Sequence, residues 1–172
     1  MRVAPLGAYF ADDLKRVAKE AQASCVVTHV HAEGVAGTVA TAVAAAMASQ
    51  SRGVAPSGRA KRLFEAVLEL TRESEVRRKV LVASQTPGDM EPARVARALG
   101  CGELVTAPDT VPFCLWVAVH HLDDYPEALA TAICVGGDCD TNAAIVGGIV
   151  ASGVGREGIP PDWLNAKEPF TV

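Results

Sequence analysis

Between Gly136 and Asn142 the chain reads Gly-Gly-Asp-Cys-Asp-Thr-Asn: one apolar stretch stops at two glycines, and another opens on two carboxylates and a hydroxyl. Asp138 and Asp140 can converge on one point where the backbone is extended or turned, and Thr141 adds a neutral oxygen. Hard oxygen donors of this kind suit Mg²⁺, Ca²⁺ or Mn²⁺ rather than zinc. A helix beginning here would also favour the same negative charges at its positive end. By spacing alone, capping and metal binding account for these residues equally well. An EF-hand is excluded, because the sixth position of such a loop is Ala143 instead of glycine and the twelfth is Ile149 instead of glutamate.

Other groupings carry weaker signals. Cys25, His29 and His31 are zinc-ligand types, but no fourth ligand stands at a recognised spacing. His120-His121 follows an apolar face and precedes Asp123-Asp124, which suits a place at a helix C-terminus, where positive charge is favoured. Ser, His and Asp are available for nucleophilic catalysis without a nucleophile-elbow motif, and Gly136-Gly137 lacks the rest of a Walker or Rossmann loop. Five cysteines, odd in number and without a C-x-x-C, oppose both a disulfide framework and a cysteine zinc site, and are read as reduced, mostly buried thiols.

The elements that must position the turn are helical. Alanine occurs 30 times and aromatics make up 5%, against the β-branched and aromatic enrichment of a sheet protein. A helix is expected from an Asp12 or Asp13 cap to about Ser24, with Leu14, Val17, Ala18 and Ala21 on one face. A second is expected from about Glu33 to Ser49, with Val35, Val39, Val43 and Met47 as a core stripe. Gln50 to Gly58 is the most loop-like stretch. Amphipathic spacing predicts helices through Leu63–Thr71 and Val76–Leu81, with a short strand at Val80–Ala83 as the alternative. Pro92 and Gly100 bracket another as N-terminal proline and C-terminal glycine would. Asp109 and Asp124 are expected caps of two apolar helices, and a last helix begins at about Asp140. Small residues four apart along it, Ala143, Gly147 and Ala151, admit a close neighbour.

The whole chain, 172 residues with 49% hydrophobic and 21% charged residues, fits one folded core over residues 1–172. A net charge of −4 with no basic stripe disfavours nucleic acid. The longest run of apolar residues, Val111 to Val119, contains Pro112 and is too short to cross a bilayer, so no membrane span is expected. Met1 to Leu6 does not resemble a secretion signal, and a cytoplasmic location is expected.

The segment Gly-Gly-Asp-Cys-Asp-Thr-Asn-Ala-Ala-Ile-Val-Gly-Gly-Ile (136–149), followed by Gly155, Ile159-Pro160 and Trp163, resembles the C-terminal signature of the ADP-ribosylglycohydrolases, of the dinitrogenase-reductase-activating type. Met1–Gly7 and Thr28–Gly34 resemble two further segments of that family in the same order. The resemblance implies an all-α, compact, orthogonal multi-helix domain. It implies a pair of Mg²⁺ (or Mn²⁺) ions and hydrolysis of the glycosidic bond joining ADP-ribose to a protein side chain or small acceptor. By the same resemblance Asp138, Asp140 and Thr141 are metal ligands, Asp140 bridges the two ions, and His29 faces the bound ADP-ribose. His31, whose equivalent varies in the family, is left to order the start of a helix. Cys139 replaces the usual threonine between the aspartates.

Family members also carry an earlier Thr-Asp-Asp-Thr segment with further metal ligands and a glycine-rich stretch for the phosphates. No Thr-Asp-Asp occurs here. The chain is therefore expected to correspond to the C-terminal half of a complete enzyme, truncated at its N-terminus, and no general base is assigned within it. A second copy or a complementing N-terminal segment is the expected partner if it is active. The alternative is a catalytically inactive fragment that binds ADP-ribose or a partner and exposes a large apolar face. A third reading is a helical scaffold in which the two aspartates only cap a helix.

Overall fold

In the computed structural model, which describes residues 1–166 and 168, the chain forms ten α-helices and, among the described residues, no strand. In chain order they are α1 (Ala4–Tyr9), α2 (Leu14–Cys25), α3 (Ala32–Gln50), α4 (Arg59–Leu70) and α5 (Glu75–Gln85). There follow α6 (Pro92–Leu99), α7 (Ala107–His120), α8 (Tyr125–Cys134), α9 (Cys139–Val154) and α10 (Pro161–Asn165). A 3₁₀ turn at Arg156–Gly158 separates the last two.

Local signals set most of the boundaries. The Asp13 carboxylate accepts from the Arg16 N–H at 3.0 Å, and Asp124 does the same for Glu127 at 3.0 Å. The Ser74 hydroxyl caps α5 through the Arg77 N–H at 3.1 Å. Gly100, at φ 97°, ends α6 in a conformation that glycine adopts without strain. Val80–Ala83 lies within α5 and not in a strand, because Val76, Val80 and Ala83 together form its buried face.

Two expectations need correction. Asp109 does not cap α7, which starts at Ala107 with Pro108 in its first turn; the buried Asp109 carboxylate instead accepts from the Leu104 N–H at 2.8 Å. The last helix, expected from about Asp140, starts at Cys139 with Asp138 as its cap residue. His120 occupies the last turn of α7, yet burial first, and then the neighbouring His121 charge, pull its pKa below the ordinary histidine value. A neutral imidazole edge-on to Trp116, with ring centroids 5.3 Å apart, is a packing element and not a cation on the helix end. The start of α1 is marked only by Pro5 in its first turn, without a side-chain cap.

The core is organised on α3, which packs against α1, α2, α4, α5, α7 and α9. Its length and mean hydropathy of 1.2 would suit a bilayer, a property hidden from a search for uninterrupted apolar runs because glycine and threonine interrupt the alanines and valines that supply it. Sixty-seven per cent of that window is buried by the surrounding helices, as in a core helix. Small residues bring the neighbours close: at Gly7 of α1 an added Cβ would collide with the Ala42 carbonyl of α3. Bulk is supplied from the other side by Phe113, Leu115 and Trp116 of α7 and Ile149 of α9, all essentially inaccessible.

Candidate functional site

The turn that carries the two aspartates is built by glycine. Gly136 and Gly137 adopt φ 77° and 72°, reversing the chain between α8 and α9, and a Cβ on Gly137 would collide with the Cys101 carbonyl. The Asp138 N–H donates to that same carbonyl at 3.1 Å, and the Asp138 carboxylate accepts from the Thr141 N–H at 3.3 Å. The neighbouring Asp140 side chain, and then hydrogen bonding from Thr141, hold the Asp138 carboxyl below the usual carboxylate range. Asp138 and Thr141 are half-buried and Asp140 is exposed. Three oxygen-bearing side chains thus stand within one helical turn at the open end of α9. The Cys139 thiol turns back to the Ile133 carbonyl of α8 at 3.7 Å.

Asn142 was given no role by sequence reasoning, yet it is fully buried. Its amide Nδ2 donates to the Cys101 carbonyl at 2.8 Å and its Oδ1 accepts from the Cys114 thiol at 3.3 Å. Burial pushes the Cys114 thiol well up, so it remains protonated and able to donate. The loop that supplies Cys101 is held from α7 as well, since the Gly102 N–H donates to the Asp109 carbonyl at 2.8 Å. Within that loop Val105 sits at φ 53°, an uncommon conformation for a β-branched residue. The only sequence signal for Asn142 is an amide in an otherwise apolar helix face.

His29 lies in the exposed link between α2 and α3, with Nδ1 2.9 Å from the Thr28 hydroxyl. His31 is the cap residue of α3, its Nδ1 accepting from the Glu33 N–H at 3.3 Å. Glu33 in turn caps a different helix, its two oxygens accepting from the Glu75 and Val76 N–H groups at 2.9 and 3.0 Å. The C-terminal parts of α3 and α9 meet near Ala48 and Gly153, so His31 and Asp138 stand at the far ends of two helices that share their other end.

Among the described residues no group of three or more His, Cys, Asp or Glu is placed to hold a metal ion. Asp138, Asp140 and Thr141 are therefore a partial donor set, compatible with a hard cation that retains several waters and is held by one or two carboxylates. Among the described residues one cavity of about 580 Å³ lies between α2, α3 and the end of α4, and another of about 290 Å³ lies where α3 and α9 end. Neither is lined by His29, Asp138, Asp140 or Thr141.

Comparison with known proteins gives a family model, described as ADP-ribosylglycohydrolase, that matches residues 1–170. The chain is 29% identical over 165 residues to an uncharacterized protein of Archaeoglobus fulgidus, covering 96% of this chain and 51% of that protein. It is 25% identical over 198 residues to the ADP-ribosylhydrolase ARH3 of Mus musculus, covering 99% of this chain and 52% of that protein. The chain spans about half the length of the curated relatives it matches. No solved structure matches it.

Proposed function

The chain belongs to the ADP-ribosylglycohydrolase family, and we propose on that premise that it acts in removing ADP-ribose from modified protein side chains or small acceptors, by Mg²⁺-assisted cleavage of the glycosidic bond. The observation that carries this reading is the turn Gly136–Asn142, which presents the oxygens of Asp138, Asp140 and Thr141 together at an exposed helix start. These three side chains would hold Mg²⁺ or Mn²⁺. When bound, such an ion supplies positive charge that orients ribose hydroxyls and offsets charge on the departing acceptor. His29, with Nδ1 engaged by Thr28, has Nε2 left to meet the ADP-ribose. The reaction adds water across the bond to the anomeric carbon, and the acceptor leaves with a proton.

Further ligands and the phosphate cradle would come from a second copy or from a complementing segment, in a cytoplasmic setting. Exposed apolar residues flank both parts of the proposed site: Val27 and Val30 beside His29, and Leu104 and Val105 in the loop that braces Asp138. The partial donor set favours one other reading, an ADP-ribose- or partner-binding chain without activity of its own.

Release of free ADP-ribose from an arginine- or serine-linked substrate, with and without Mg²⁺, tests the proposal. Metal-dependent release that disappears in Asp140→Ala is the expected result. ADP-ribose binding without release under any condition would replace it with the binding reading.

A further inference from the structure

We propose that Asn142 is a positioning residue that acts through the Cys101 carbonyl to fix the spacing of Asp138 and Asp140 for a divalent cation. This inference rests on the reading of the turn as a cation site and deepens it.

A carbonyl oxygen has two lone pairs. At Cys101 one receives the Asp138 N–H at 3.1 Å and the other the Asn142 amide at 2.8 Å. One oxygen therefore ties the residue that opens α9 to a side chain one turn further along the same helix. The post itself is anchored in α7, through the Gly102 N–H on the Asp109 carbonyl and the Leu104 N–H on the Asp109 carboxylate, both at 2.8 Å. Glycine permits the contact on both strands of the join: a Cβ on Gly137 would strike the Cys101 carbonyl, and one on Gly102 would come within 2.5 Å of the Asp138 Cβ.

A half-buried Asp138 and an exposed Asp140 have little packing to define the separation of their carboxylates, so that separation must come from the backbone beneath them. Among the described residues, Asn142 is the only side chain that meets both requirements, full burial and a hydrogen bond to this post. Its second bond, from Cys114, orients the amide but does not touch the turn. Removing Asn142 leaves the Cys101 carbonyl held on one side only, and the two carboxylates then sample a wider range of separations. Loss of a partner that orients metal ligands typically weakens metal binding about 10- to 100-fold.

The test is a titration of the full chain with Mg²⁺, and with Mn²⁺ as a paramagnetic probe, followed at the backbone amides of Asp140 and Thr141 by NMR. Asn142→Ala is expected to weaken binding by about tenfold or more, and Asn142→Ser, too short to reach Cys101, serves if the alanine variant does not fold. Cys114→Ala removes the other partner of the amide and is expected to lower thermal stability while leaving cation affinity within about twofold. Equal affinity in Asn142→Ser and the parent, or equal weakening by Asn142 and Cys114 variants, overturns the positioning role while leaving the cation site standing. Absence of any cation-dependent change at Asp140 and Thr141 in the parent chain overturns the cation site itself.

Discussion

The two ends of the α3–α9 pair treat charge in opposite ways. Where both helices finish, two arginines find local acceptors: the buried Arg59 forks onto the Asp123 carboxylate, and the Arg52 Nε donates to the Ser152 carbonyl at 2.9 Å. Cations set against C-terminal carbonyls and a carboxylate satisfy the helix ends from within. At the start of α9, Asp138 and Asp140 stand together and, among the described residues, neither forms a salt bridge with a cationic side chain. The unbalanced pair is where an added cation would do most.

The contrast can be broken most directly at Asp140. Asp140→Ala is expected to lower Mg²⁺-dependent release of ADP-ribose by at least about 100-fold while shifting thermal stability little, since the side chain is exposed. A comparable loss of activity from neutralising Asp123 would erase the distinction between the two ends.

The glycine pair sharpens it on the scale of stability. Gly136 and Gly137 have nearly equal φ, but a Cβ at Gly136 meets nothing within 4 Å, whereas at Gly137 it collides with Cys101. Urea denaturation should show Gly136→Ala costing about 1 kcal/mol, from conformation alone, and Gly137→Ala about 2–3 kcal/mol. At the closed end, Asp123→Asn leaves Arg59 buried without its counter-charge. Because Asp123 is two-thirds exposed, the cost should stay near 1–2 kcal/mol, with cation affinity at Asp138 unchanged.

The smallest effect separates the ends by pH. His120, near the closed end, has its pKa lowered in the folded chain, so the unfolded chain binds the proton more tightly. Its contribution is complete above the unfolded value of about 6.5 and declines as pH falls below it. Asp138 has a lowered carboxyl pKa, so its contribution holds above about 4 and declines below. Thermal unfolding followed from pH 7 to 3 should show the first loss abolished by His120→Gln and only the second altered by Asp138→Asn.

Much of this architecture could be read along the chain because its signals are local. Asp13, Asp124, Pro92 and Gly100 act on residues three or four away, and each sets the boundary expected of it. Asp109 looked like the same signal, but its carboxylate was recruited backwards to Leu104, and Pro108 was the better mark of the start. The aspartates and threonine of the turn are visible in sequence because they are adjacent. Asn142 and Glu33 are not, since their partners are 41 to 43 residues away in sequence. Hydrogen bonds across such spans leave no periodicity and no spacing to find.

The close seating of α1 on α3 also bears on how the sequence can change over time. At Gly7 the neighbouring backbone fills the place of any side chain, and along α3 the inaccessible alanines Ala40, Ala42, Ala44, Ala45 and Ala46 leave room for a methyl group and little more. Drift in this helix is steered towards residues of equal or smaller size, and a single enlargement there has no neighbour able to yield. Variation is pushed outward, to the polar faces of α2 and α4, where a new side chain meets only water.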